Sequence, residues 1–560
     1  MREIWNRLTA LVNKNREKLS FAVLINAVLL AALLVVFRPG YETNDDMGLN
    51  CIVNGTKGSF DAHMVHCKYL FGLILSGLYR MWQSVPWHAI GQYALLFISF
   101  TLVTLVVLRR QKGKWTAWIS AAALIFFAYE GYIRLQYTKT AGIITAAGIL
   151  VMFYAVEGEK IRKRYLAAGV ILACFGFMYR AQQFFAVAAL MTPIGLYQLL
   201  ELKNAEKGKR LPKILSYVKA FGLLLFCVAL LYGTDRMAYR SPQWQEYEEY
   251  NWARTLLFDY GFPDYSENRE EYEKLGIDEN AYKLIRGWNY FDTEKFTLPV
   301  MKELISLRKE KQVNAGFFVR FVKKVVLKFP TITAFGITLV LILYWLLFSR
   351  HGYQDLLTAL YTAFLVLALY LFLFYQGRYL YNRVDVSIWM AVSLAVLWVY
   401  RPGERRLEGW CVPVALAAAC FCISFSCGKY LRTNTSSEKK MVQERQAIEA
   451  VMEDKEHLYL AKSGELSFAK SYGVFETPPF GSGDNIMPLG GWTAHTPLYR
   501  SVMEKYGIVN PYRDMIGNET VYLVDNNIEV TMQYIHTYYD PDAEAVLVKE
   551  IGGHTVYQIK

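Results

Sequence analysis

Residues 40–50 read GYETNDDMGLN and set Asp45 and Asp46 side by side, with Glu42 just before them. Ionised carboxylates held this close repel one another and lose hydration near an apolar segment. A site that keeps them gains a metal, a cation or a proton to accept. Asp45 is therefore a candidate general base or metal ligand, with Asp46 as its partner; the plainer role for such a run is an Asx turn or a helix cap. His63 and His66, three residues apart, would share a helix face and could join the two aspartates around zinc, manganese or magnesium. The alternative for both is a polar contact at a membrane interface.

Cations stand in three other short stretches: Arg134 and Lys139 in YIRLQYTKT, Arg180 in MYRAQQ, and Arg378 and Arg383 in YQGRYLYNR. A guanidinium offers a planar fork of charge-assisted donors that suits phosphate, so these five residues are the candidate phosphate binders. Arg180 and Arg378 are favoured because each lies in a very short turn. Snorkelling to headgroups or pairing with a loop carboxylate is the alternative for each. Tyr250, Trp252, Tyr260, Tyr265 and Trp492 could stack on sugar rings, but Trp and Tyr also collect at membrane interfaces, which is the weightier explanation.

The elements that must position these groups follow from hydropathy. The chain has 560 residues, 54% of them hydrophobic and 15% aromatic, with mean hydropathy +0.17. Apolar runs long enough for a hydrocarbon core of about 30 Å predict eleven helical spans, near 20–37, 87–108, 115–130, 138–156, 165–179, 182–200, 213–233, 330–348, 355–375, 384–400 and 409–426. The net charge of +12 sits in short Lys/Arg clusters between these runs, which orients helices and gives no reason to invoke nucleic acid. The basic segments 109–114, 157–164, 201–213 and 401–409 and the basic amino terminus are expected in the cytoplasm, the carboxyl terminus outside. The first run has no small-residue cleavage site after it and is expected to remain as a span.

On this map the transmembrane part is 1–427, including outer loops 38–86 and 234–329, and residues 428–560 form a small extracytoplasmic α/β domain. Residues 63–82 and 317–329 read as amphipathic helices lying on the membrane, since counting 63–82 as a span would invert every later helix. Residues 439–455 read as a helix, and TVYLVDN and HTVYQI as strands. Cys51 and Cys67 share the first outer loop and could pair in an oxidising compartment. The triplets at Asn54, Asn434 and Asn518 match the glycosylation sequon, which matters only in a eukaryotic secretory route.

A first helix, an outer loop carrying an acidic pair (NDD, 44–46), a surface helix and then many spans resembles the GT-C superfamily of membrane glycosyltransferases. Protein O-mannosyltransferases, aminoarabinose transferases and O-antigen glucosyltransferases are of this type. The resemblance implies an all-α polytopic fold in which Asp45 or Asp46 activates an acceptor hydroxyl. The donor would be a sugar on a polyprenyl phosphate, and the acceptor a glycan, lipid or protein at the outer face of a bacterial plasma membrane. A phosphate leaving group needs one base and some positive charge rather than a strong acid. A transporter or flippase of a lipid-linked or anionic solute is the first alternative, and a noncatalytic cell-envelope assembly protein the second.

Overall fold

The structure is a computed structural model and describes residues 2–111, 116–204, 207–309, 311–403, 408–434 and 437–560. Parts of three expected basic segments (112–114, 205–206 and 404–407), residue 115 of the third expected span, and 435–436 of the Asn434 sequon lie outside the described residues.

Helices stand at all eleven expected positions, from Leu19–Val36 to Glu408–Asn434. Among the described residues, seven are long and apolar enough to cross a membrane alone, and an eighth crossing arises if Ala315–Thr331 and Thr333–Phe348 count as one bent span. Of the other expected spans, Glu408–Asn434 has 27 residues but only its Pro413–Gly428 stretch is apolar. Thr116–Tyr132 and Lys163–Tyr179 have 17 residues each and Thr333–Phe348 has 16, short of the roughly 20 that a full crossing takes. The chain is a multi-pass membrane protein. Ala315–Thr331 meets Thr333–Phe348 at 78°, the bend expected if 317–329 turns away from the span that follows. Residues 63–82 contribute the helix Tyr69–Met81.

Tyr137–Glu157 is the bundle's axis, and small residues explain why its neighbours come so close. A Cβ on Gly148 would sit 2.7 Å from the Gly169 carbonyl oxygen of Lys163–Tyr179, and one on Gly142 would sit 2.2 Å from Ser387 Cβ of Asn382–Val399. Without the hydrophobic drive of water, such backbone approach is what holds apolar helices together.

The later half of the chain adds a five-stranded sheet. Strands β3 (Leu458–Ala461), β4 (Ile486–Pro488), β5 (Val521–Val524), β6 (Ala545–Ile551) and β7 (His554–Ile559) run in the order β4-β3-β5-β7-β6. The β3–β4 and β3–β5 pairs are parallel, and β6 and β7 form an antiparallel hairpin across Gly552 and Gly553, both at positive φ. Helix Ser437–Glu453 lies where 439–455 is expected. Tyr250, Leu257, Ile285 and Met301 of the 234–329 loop share one apolar core with Leu460, Leu523 and Tyr534. The loop and the terminal region therefore build one unit.

Two short strands, β1 (Gly40–Tyr41) and β2 (Arg134–Leu135), pair in parallel within the first part of the chain. The Gly40 and Glu42 amides donate to the Ile133 and Leu135 carbonyls at 2.9 and 2.8 Å. This fastens the acidic loop to the entry of the Tyr137–Glu157 helix.

Candidate active site

The fastened loop delivers its three carboxylates to three different surroundings. Glu42 meets Lys139 Nζ at 2.6 Å and Arg134 at 3.8 Å. Lys139 also reaches Glu130 Oε2 at 3.0 Å, and Arg134 reaches Glu130 Oε1 at 3.4 Å. Asn382 donates to both Glu42 and Glu130, and the Ser426 hydroxyl donates to Glu130. Burial opposes charge on Glu42, but Lys139 and then Arg134 outweigh it and hold the carboxyl below its ordinary value. Two cations thus face two carboxylates, with Lys139 and Glu130 at 1% and 0% exposure. The expectation that Arg134 and Lys139 bind phosphate meets a charge-balanced joint with no face left open on Lys139.

Asp46 is buried completely. Its carboxylate accepts from the Tyr137 amide at 3.0 and 3.2 Å, from Gln92 Nε2 at 2.9 Å, and lies 3.2 Å from His88 Nε2. Thr140 donates to Gln92 Oε1 at 2.7 Å, closing the network on the same helix. Asp46 therefore sits at the amino terminus of Tyr137–Glu157, where free amides and the helix dipole both favour a negative group.

Asp45, the first residue of helix Asp45–Val53, points the other way. It is half-buried, accepts from Thr43 Oγ1 at 3.2 Å and lines a cavity of about 520 Å³. Burial and the neighbouring Asp46 raise its pKa, while Arg383 and, more weakly, Arg180 pull it down. The same cavity is lined by Arg383 and Lys57, and by Trp288, Lys462 and Trp492 from the unit that the 234–329 loop builds with the terminal region.

Four arginines converge near His66. Burial, followed by Arg180, Arg254, Arg378 and Arg383, holds its pKa well below the usual histidine value. The imidazole lies 4.7 Å from the Trp492 ring and stacks over Tyr137 at 6.1 Å. Arg378 is bound by Asp259 at 2.9 Å. No described carboxylate pairs with Arg180, Arg254 or Arg383: Arg180 faces the Tyr137 ring, Arg383 the Tyr381 ring, and Arg254 donates to Asn251 and Thr255.

His63 takes no part in this. It lies 2.6 Å from Asp61 and stacks on Trp244 at 4.3 Å. With His63 engaged there and Asp46 occupied by the Tyr137 amide and Gln92 beside His88, the expected Asp45–Asp46–His63–His66 metal set is not assembled. Among the described residues no three His, Cys, Asp or Glu side chains are arranged to hold a metal. Cys51 and Cys67 are both buried and free. Asn54 is fully buried and donates to Thr477 and to the Pro478 carbonyl, so that sequon offers no accessible amide.

Of the aromatic residues expected to stack on sugars, Trp492 lines the cavity. Tyr250 is buried, with its hydroxyl on the Phe296 carbonyl; Tyr260 faces Arg378; Tyr265 packs on Tyr272; Trp252 is 60% exposed. Two groups at the site are not evident from sequence. Arg254 is a lone cation inside an aromatic-rich stretch. Lys57 is 7% exposed, donates to the Gly483 and Ile486 carbonyls and has its pKa pushed down to about 8 by burial.

Backbone strain gathers here as well. Among the described residues, four other than glycine have positive φ: Val65 (63°), Trp288 (65°), Leu380 (59°) and Leu466 (45°). Val65 precedes His66, Leu380 lies between Arg378 and Arg383, and Trp288 and Leu466 line the cavity. Such conformations cost about 1–3 kcal/mol each and collect where a side chain must be aimed. Gly490 allows close packing beside Trp288, since a Cβ there would fall 1.8 Å from the Trp288 carbonyl oxygen.

The fold and site together define a multi-pass membrane protein with one half-buried carboxylate and several guanidinium groups where the helical bundle meets the unit built by the 234–329 loop and the terminal region. No family model and no curated protein matches the sequence. Among solved structures, the chain is similar to ArnT from Cupriavidus metallidurans in the apo state, at 11% identity and a TM-score of 0.42, covering 96% of this chain and 97% of that one. It is also similar to ArnT bound to undecaprenyl phosphate, at 8% identity and a TM-score of 0.36 over the same shares.

Proposed function

We propose that this chain is a GT-C-type glycosyltransferase. It moves a sugar from a polyprenyl-phosphate carrier to a glycan, lipid or protein acceptor at the extracytoplasmic face of a bacterial plasma membrane, with its amino terminus in the cytoplasm. The observation that carries this reading is the placement of Asp45 and Arg383 on the wall of one cavity of about 520 Å³. Asp45 takes the proton of the acceptor hydroxyl as that oxygen forms its bond to the anomeric carbon. The bond from that carbon to the phosphate oxygen breaks, and the electron pair leaves with the phosphate. Arg180, Arg383 and Arg254 receive the charge that develops there. Asp46 holds Asp45 in place by anchoring its helix to Tyr137. Trp288, Trp492 and the outer unit form the acceptor side.

A transporter would use ionisable groups deep within spans, whereas the candidate groups here gather at helix ends. The test is an assay of the purified full chain with a panel of polyprenyl-phosphate sugars and cell-envelope extract as acceptor, reading release of the free lipid phosphate. Release that is lost in Asp45→Asn supports the reading. Absence of release from every donor with folded wild-type protein, or full activity in Asp45→Asn, overturns it.

A further inference from the structure

A second cavity lies inside the bundle. Thr333–Phe348 packs against Asn382–Val399, whereas Tyr353–Gln376, between them in sequence, leans mainly on Ala181–Glu201. Their divergence leaves a cleft of about 370 Å³, within the size range of small-molecule sites. Along most of its length the cleft is apolar, with Phe335, Val366 and Val392 among its walls.

One end differs. There Trp345 Nε1, Asp355 Oδ1 and Thr358 Oγ1 have no hydrogen-bond partner among the described residues, although the three side chains are only 8%, 2% and 3% exposed. Asp355 uses its other oxygen, Oδ2, to accept from the Gly352 amide at 2.7 Å. This polar end lies at the turn between Thr333–Phe348 and Tyr353–Gln376. Arg378 follows the far end of Tyr353–Gln376, roughly 30 Å away at the helical rise of 1.5 Å per residue. The cleft's polar end is therefore remote from the candidate active site.

Buried polar atoms without partners are costly, and more so where bulk water does not reach. An N–H donor, a carboxylate acceptor and a hydroxyl grouped at the end of an apolar cleft form the complement of another hydroxyl, which accepts from Trp345 and donates to Asp355. An anionic head would be repelled by the Asp355 carboxylate, and an ammonium would turn its donors on the Trp345 N–H. We propose that this cleft binds a membrane lipid with one apolar chain and an uncharged hydroxyl head, of the class of long-chain alcohols and monoacylglycerols. Its chain lies along the helices and its hydroxyl sits among Trp345, Asp355 and Thr358. This site stands independently of the transferase reading.

A diazirine-bearing long-chain alcohol, photolysed with the full chain in nanodiscs and mapped by peptide mass spectrometry, tests it. Label is expected on the cleft-lining residues Thr362, Val366, Val392 and Val396, assigned residue by residue from fragment ions, and reduced at least tenfold by excess unlabelled alcohol. A diazirine fatty acid of equal length is expected to label at least fivefold less, and Thr358→Val to lower alcohol labelling at least threefold. Should that variant not fold, the comparison of alcohol with acid in the wild type still decides. Uncompeted label spread over lipid-facing residues such as Leu360 and Phe364, or equal labelling by the acid, overturns the proposal.

Discussion

Two clusters of charged side chains lie at the same end of the helical bundle and differ in one respect. Around Lys139 and Arg134, two cations meet two carboxylates, Glu42 and Glu130, and Asn382 closes the set. Around His66, four arginines approach and the described carboxylates supply one partner, Asp259 on Arg378. The first cluster is complete in itself and works as a joint. The second holds positive charge that the described carboxylates leave partly unmatched, the property on which the proposed anion site rests. Stoichiometry, rather than residue type, separates the two.

Several substitutions would break or sharpen this contrast. The largest effect is expected from Asp45→Asn, which should lower lipid-phosphate release about 10²–10⁴-fold, the usual contribution of a general base, with carrier binding retained in a lipid-phosphate binding assay. Next comes the joint. Glu130→Gln strands part of the charge of buried Lys139 and should destabilise the fold by about 3–5 kcal/mol, read as a lowered thermal midpoint in detergent. Equal stability of Glu130→Gln and wild type would erase the distinction between the clusters. The surplus cluster should behave in the opposite way: Arg383→Gln and Arg254→Gln are each expected to weaken carrier binding about 10–100-fold, the worth of a charge-assisted hydrogen bond, while the thermal midpoint holds.

The smaller effects concern pH. Because the pKa of Asp45 lies above the ordinary carboxylate value, the rate should fall on acidification with a midpoint above about 4, the reference value for an aspartate. A group with a raised folded-state pKa contributes stability below its unfolded value and loses it as pH rises through the folded one. The contribution of Asp45 to stability should therefore grow on acidification through that range. Asp45→Asn should melt no lower than wild type at pH 7, with the gap between them closing toward acid pH, as measured by thermal unfolding across pH.

Much of this arrangement was legible in the chain itself. The apolar run ending near residue 37 places NDD just beyond a helix, and every expected span coincides with a helix because about 20 uninterrupted apolar residues have few other ways to satisfy their backbone. The terminal strands were readable from TVYLVDN and HTVYQI. The division of labour between Asp45 and Asp46 was not, since it depends on the free amide of Tyr137, 91 residues further on. Arg134 as a partner of Glu130 follows an i, i+4 spacing that could have been noticed, whereas the contact from Asn382 could not. Arg254 escaped notice because its meaning comes only from the way the 234–329 loop folds back with the terminal region over the helices.

The grip of Asp46 on the first turn of Tyr137–Glu157 carries one more implication. The carboxylate next to it is moored to the most deeply embedded segment of the protein, so it cannot travel toward a reactant. In the proposed transferase the reactants must therefore be brought to it, within a cavity whose other lining includes Trp288 and Trp492.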